Sequence, residues 1–116
     1  MASQKRQERF VEEVSHLAAE FIERESDGRT LLTVTRSEIS PDLKYIVIFF
    51  SIFPIEKKKG AVGFLARRAR EFPDYLAKHG RFGRLPQVRF VFDMAEVKRQ
   101  HLDKIFRQIK SEKEDK

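Results

Sequence analysis

The chain has 116 residues, of which 41% are hydrophobic and 36% charged, with a net charge of +6 and a pI near 9.8. That length suffices for one core and not two, and the absence of cysteine excludes disulfides, thiolate metal sites and a thiol nucleophile. The basic surplus points to an acidic partner, nucleic acid before an anionic membrane.

The opening MASQKRQERF has no apolar core of the kind a signal peptide needs. The longest apolar run, around 45–53, falls well short of a membrane span. A soluble, cytoplasmic protein is expected.

Residues 4–25 form the first predicted element. Phe10, Val11, Val14, Leu17, Ala18, Phe21 and Ile22 recur along one face of a 3.6-residue period, which predicts an amphipathic helix. Ser26, Asp27 and Gly28 supply turn chemistry to end it. Two strands follow, a β-branched one over Thr30–Arg36 and an almost wholly apolar one over Tyr45–Phe53. Between them Ser40-Pro41-Asp42 suits a type I turn, so the pair reads as an antiparallel hairpin. The second strand is apolar on both faces, Ile46, Ile48, Phe50 and Ile52 on one and Tyr45, Val47, Phe49 and Phe53 on the other, which favours a central position.

Helical character resumes over 61–71, with Val62, Phe64, Leu65 and Ala69, and Pro73 interrupts it. A proline inside a helix removes a donor and clashes with the preceding turn, so two short helices, 61–71 and 73–79, are expected to meet at a kink. A strand at 87–92 comes next, then a helix over about 94–110 with Leu102, Ile105, Phe106 and Ile109 at i, i+3, i+4 and i+7. The tail from 111 to 116 is charged and expected to fray. The order α-β-β-α-(kink)-α-β-α makes the first two strands antiparallel and the helix-crossed pair parallel. The fold class is therefore α+β: a single domain over 4–110, type II KH-like, with a three-stranded mixed sheet and helices on one face.

Charge is unevenly spread. Residues 57–89 hold ten basic residues against Glu71 and Asp74, a surplus of eight in a chain whose total is +6, so the remainder carries a deficit of two. A merely solvated helix face mixes its signs; this region does not. Lys57, Lys58, Lys59, Arg67, Arg68, Arg70, Lys78, Arg81 and Arg84 are the candidate phosphate contacts, expected to gather at one side of the kinked pair, with helix N-termini near Gly60 and Pro73 as further donors. Phe82, set between arginines, is the candidate for stacking on a base, while Phe49, Phe50, Phe53, Phe90 and Phe92 read as core.

Two segments, Gly60–Gly63 and Gly80–Gly83, satisfy the GxxG pattern with which KH domains clamp a nucleic-acid backbone. Neither lies between two helices, and both read better as helix entry and turn. His16, His79 and His101 lack metal-ligand spacing, Glu12 and Glu13 belong to an exposed helix face, and no nucleophile adjoins a base. No enzyme, metal or cofactor is expected.

At LLTVTRSEISPDLKYIVIFFSIF (31–53) and RFGRLPQVRFVFD (81–93) the sequence resembles the ribosome-binding factor A family, and the likeness spans roughly 5–109. The resemblance implies a monomeric type II KH domain that binds 16S rRNA on the free small (30S) ribosomal subunit. It further implies a role in late maturation and rRNA processing, with a link to cold adaptation. The family carries an Ala-x-Gly kink between its central helices. Here Ala69-Arg70-Glu71 stands in its place with Pro73 two residues on, and a family basic residue after the kink falls on Asp74. The alternative is a protein-interaction module that docks a partner through its apolar strand or first helix.

Overall fold

A computed structural model describes residues 4–25, 30–94 and 99–114. The elements run α1 (Gln4–Glu25), β1 (Leu31–Ile39), β2 (Tyr45–Phe53), a 3-10 turn (Ile55–Lys57), α2 (Lys58–Arg68), a second 3-10 turn (Ala69–Glu71), α3 (Phe72–His79), β3 (Gln87–Phe92) and α4 (Arg99–Glu114). The sheet order is β1-β2-β3, antiparallel then parallel, with β2 central. This is the KH-like α+β arrangement expected.

β1 runs three residues further than expected, and Ile39 pairs with Ile46, so the connection shortens to 40–44. The Leu43 N–H donates to the Ser40 carbonyl and the Ser40 N–H to the Tyr45 carbonyl, each at 2.9 Å, which closes the predicted turn. Leu43 then adopts φ 64°, the left-handed value needed to return the chain into β2. Ser40 is buried, and its hydroxyl bridges the turn: it donates to the Asp42 carboxylate at 2.6 Å and accepts from the Tyr45 N–H at 3.1 Å. That donor, with the Lys44 N–H, holds the Asp42 carboxyl below its ordinary value of 3.8.

β2 sorts its side chains as the alternation demands. Ile46 and Ile48 join Val14, Leu17, Ala18 and Phe21 of α1 and Phe72 and Leu76 of α3. Phe50 and Ile52 meet Ile22 of α1 and Ala61 and Leu65 of α2. On the opposite face Tyr45, Val47 and Phe49 pack against Phe106 and Ile109 of α4. Helices α1–α3 thus share one face, and α4 covers the other, as a central strand apolar on both sides requires. The expectation of helices on one face only is corrected accordingly.

α4 remains helical through Glu114, beyond the boundary expected at 110, and Met94 lies before it rather than in it. Glu112 of that added turn pairs with Arg89 of β3. The predicted helix stop at Ser26, Asp27 and Gly28 lies outside the described residues.

Candidate nucleic-acid interface

The central helices begin earlier than their apolar pattern implied. The 3-10 turn closes with the Lys57 N–H donating to the Pro54 carbonyl at 3.1 Å, and α2 starts at Lys58. Gly60 and Gly63 therefore lie within α2, so Gly60–Gly63 is no loop clamp. The GRFG segment is no clamp either. Gly80 is extended (φ −115°, ψ 173°), and a Cβ placed there would come within 2.1 Å of the Phe82 ring. Glycine is needed at 80 because Phe82 folds inward over it, edge-on to Phe10 with ring centroids 5.7 Å apart. Phe82 is thus occupied by packing, not presented for stacking.

The kink is real and its chemistry is visible. Pro73 has no N–H to donate, so the α-helical ladder cannot pass through it. The Ala69 N–H makes an α-helical bond back to the Leu65 carbonyl, and the Phe72 N–H then reaches only as far as the Ala69 carbonyl, as a 3-10 turn. Pro73 sits in the first turn of α3, where a missing donor is harmless. Glu71 has φ −88° and ψ −11°, an ordinary right-handed conformation, so this kink does not require a glycine there. The turn bond occupies an amide that an open N-terminus near Pro73 would have offered to phosphate.

The basic residues are spread along α2, the kink and the flanking turns, beside a groove. α2 runs beside β3, whose other edge pairs with no strand among the described residues. Between them lies a groove of about 280 Å³ lined by Val62, Leu65, Ala66 and Ala69 on one bank and Val88, Arg89, Phe90 and Phe92 on the other, together with Phe50 of β2. Lys58 marks one end, its ammonium 4.3 Å from the centre of the Phe92 ring. Lys57 and Lys59 are exposed beside it. Along α2, positions 59, 63 and 67 follow one another on one face, and Arg70 comes three residues after Arg67 in the 3-10 turn. The Arg67 guanidinium lies back along the helix, 3.6 Å from where a Cβ on Gly63 would stand. Arg70, in the kink, is exposed, as is Arg84 on the approach to the start of β3.

Three of the candidates are placed otherwise. Arg68 turns to the side, where it pairs with Glu71 at 3.6 Å and lies 5.6 Å from the Phe64 ring. Lys78 and Arg81 extend the basic surface around the end of α3, where the Arg81 N–H donates to the Glu13 carboxylate at 3.3 Å and fixes the loop to α1. Two features left no sign in the sequence. The apolar banks of the groove read there as core, and Phe53, which also reads as core, is 72% exposed. Among the described residues no group of three or more His, Asp or Glu could hold a metal, and no helix is long and apolar enough to cross a membrane.

Residues 4–106 match the family model of ribosome-binding factor A. The chain belongs to that family. It is 33% identical to ribosome-binding factor A of Kosmotoga olearia over 75% of this chain and 70% of that one. Against the Thermomicrobium roseum protein it is 29% identical over 94% and 87%. The fold is similar to the crystal structure of ribosome-binding factor A from Thermus thermophilus, with TM-score 0.64 and 28% identity over 74% of this chain and 93% of that one. It is also similar to the Thermus thermophilus factor as fitted into the cryo-electron microscopy map of a 30S–RbfA complex, with TM-score 0.63 and 29% identity over 73% and 92%. The chain keeps the family fold, with Ala69-Arg70-Glu71 at its kink.

Proposed function

We propose that this protein is a non-catalytic, monomeric assembly factor of the cytoplasm that binds 16S rRNA on the free small ribosomal subunit and assists its late maturation and rRNA processing. One observation carries the reading: a largely apolar groove beside an open strand edge, with Lys58 over Phe92 at one end, Arg89 in its lining, and exposed Lys57, Lys59, Arg67, Arg70 and Arg84 on the elements that form or lead into its banks. Such a groove suits a single strand. Unpaired bases enter the apolar slot, the β3 edge offers N–H and C=O groups to their polar edges, and the cations of α2 meet the phosphates. Lys78 and Arg81 extend the track toward α1, and Arg68 joins it when its pair with Glu71 opens. The 30S complex of the Thermus thermophilus relative supports the choice of particle.

Co-sedimentation with small subunits, large subunits and assembled ribosomes at low and high salt tests the reading, beside a Lys59/Arg67/Arg70→Glu variant. Selective, salt-sensitive binding to free small subunits that the variant loses is expected. Equal binding to all particles would reduce the charge to a general polyanion patch. Binding that survives the charge reversal would instead favour a protein-docking module.

A further inference from the structure

Phe53 is the only one of the eleven phenylalanines that is exposed, and all eleven are among the described residues. Its exposure has no explanation in the core. It ends the face of β2 that α4 covers, but among the described residues that cover stops at Tyr45, Val47 and Phe49. Half-buried Ser51 follows as a polar border, and Phe53 stands beyond it. Leu31, directly opposite in the β1–β2 register, is 64% exposed, and Ile55, two residues further along the chain, is 54% exposed. An apolar shelf this open is costly in water unless something covers it.

The setting identifies what covers it. The Pro54–Lys57 turn brings the chain from Phe53 straight into Lys57, Lys58 and Lys59, and only Glu56 opposes these three cations locally. Lys58 is held at Phe92, at the end of the groove. A flat, exposed aromatic ring one turn from a lysine run matches the needs of a nucleotide, with a π-face for the base and ammonium groups for its phosphates. The lysine run joins the shelf to the groove: Lys57 follows Phe53 by four residues, and Lys58 stands over Phe92 at the end of the proposed RNA groove. We infer that Phe53 is a base-stacking platform that holds an unpaired nucleotide where the bound strand leaves the α2–β3 groove, with Lys57 and Lys59 on its phosphates. This rests on the RNA reading above and adds a contact to it.

The chain contains no tryptophan, so Phe53→Trp introduces a single reporter at the site. Both Phe53→Trp and Phe53→Ala are solvent-facing changes, and their unfolding midpoints check that the fold is kept. In the full-length protein, the emission of Phe53→Trp is expected to be quenched by an unstructured single-stranded RNA oligonucleotide and not by a blunt RNA duplex. Phe53→Ala should weaken single-strand binding roughly 5- to 150-fold, the effect of losing one base–aromatic stack, and leave duplex binding unchanged. Single-strand binding equal to wild type in Phe53→Ala, or unchanged tryptophan emission while RNA binds, would overturn the stack and leave the RNA reading standing. Tryptophan emission that responds to intact small subunits but not to naked RNA would overturn it in favour of a protein contact. Failure of the wild-type chain to bind either RNA would overturn the RNA reading itself.

Discussion

At the scale of single residues, the two glycine pairs show how one residue type serves opposite ends. A Cβ at Gly60 meets nothing within 4 Å, whereas at Gly80 it would enter the Phe82 ring. Gly80→Ala should therefore destabilise the protein by about 1–3 kcal/mol through overpacking. Gly60→Ala, on an exposed helix position, should stabilise it by about 0.5–1 kcal/mol. Denaturant titration of the two variants reads both signs. The β1–β2 turn gives a second residue-scale test. Because the folded-state pKa of Asp42 is lowered by the Ser40 hydroxyl and the Lys44 N–H, its contribution is present above the unfolded value and disappears as pH falls through the folded one. Ser40→Ala should lower stability at neutral pH and flatten the acid side of the stability–pH curve, since the protonated carboxyl then loses less. An acid limb as steep as in the wild type would show that the turn does not supply this dependence.

Among the elements, the kink is the most informative. It was legible in the sequence because proline's missing donor has a fixed consequence whatever surrounds it, and the same holds for the hairpin turn at Ser40-Pro41-Asp42. The inward turn of Phe82 was not legible, because it depends on Phe10, seventy-two positions away in the chain. The exposure of Phe53 was hidden for a related reason. Alternation tells which face a strand residue occupies, but only the position of α4 decides where cover on that face ends. The element-scale prediction concerns Glu71. Since its backbone does not need glycine, Glu71→Gly should cost about 1 kcal/mol in stability. Removing the carboxylate that holds Arg68 should at the same time tighten RNA binding. Stability and affinity are thus expected to move in opposite directions in one variant, measured by thermal unfolding and by filter binding.

For the whole molecule, the uneven charge seen in the sequence becomes a direction in space. The kinked helices and the approach to β3 expose mainly cations, while α1 mixes its signs, with Lys5, Arg6 and Arg9 beside Glu8, Glu12 and Glu13. The surplus was legible but its layout was not, because the spacing of lysines and arginines along the chain does not say that α2 runs beside β3. If five of the exposed cations release counterions from a single strand, log Kd should rise with log salt at a slope of about 3.5, or about 100-fold weakening between 50 and 200 mM. Each of Lys59→Ala, Arg67→Ala and Arg70→Ala should lower that slope by about 0.7, while Glu8→Gln and Glu12→Gln should leave it unchanged. A slope unaffected by the α2 substitutions would move the RNA face elsewhere.

The β-bulge in β1 makes the two margins of the sheet unequal. Register is lost between Val34 and Arg36, and the Thr35 hydroxyl is drawn to Asp93 at 2.5 Å. A regular margin on each side would let the β1 of one molecule add to the β3 of the next, head to tail, with no symmetry to close the chain. The bulge interrupts the donor and acceptor spacing that such stacking needs over the full strand. With the β3 margin open, the bulge denies a second copy of the chain a matching margin, which disfavours head-to-tail growth as concentration rises.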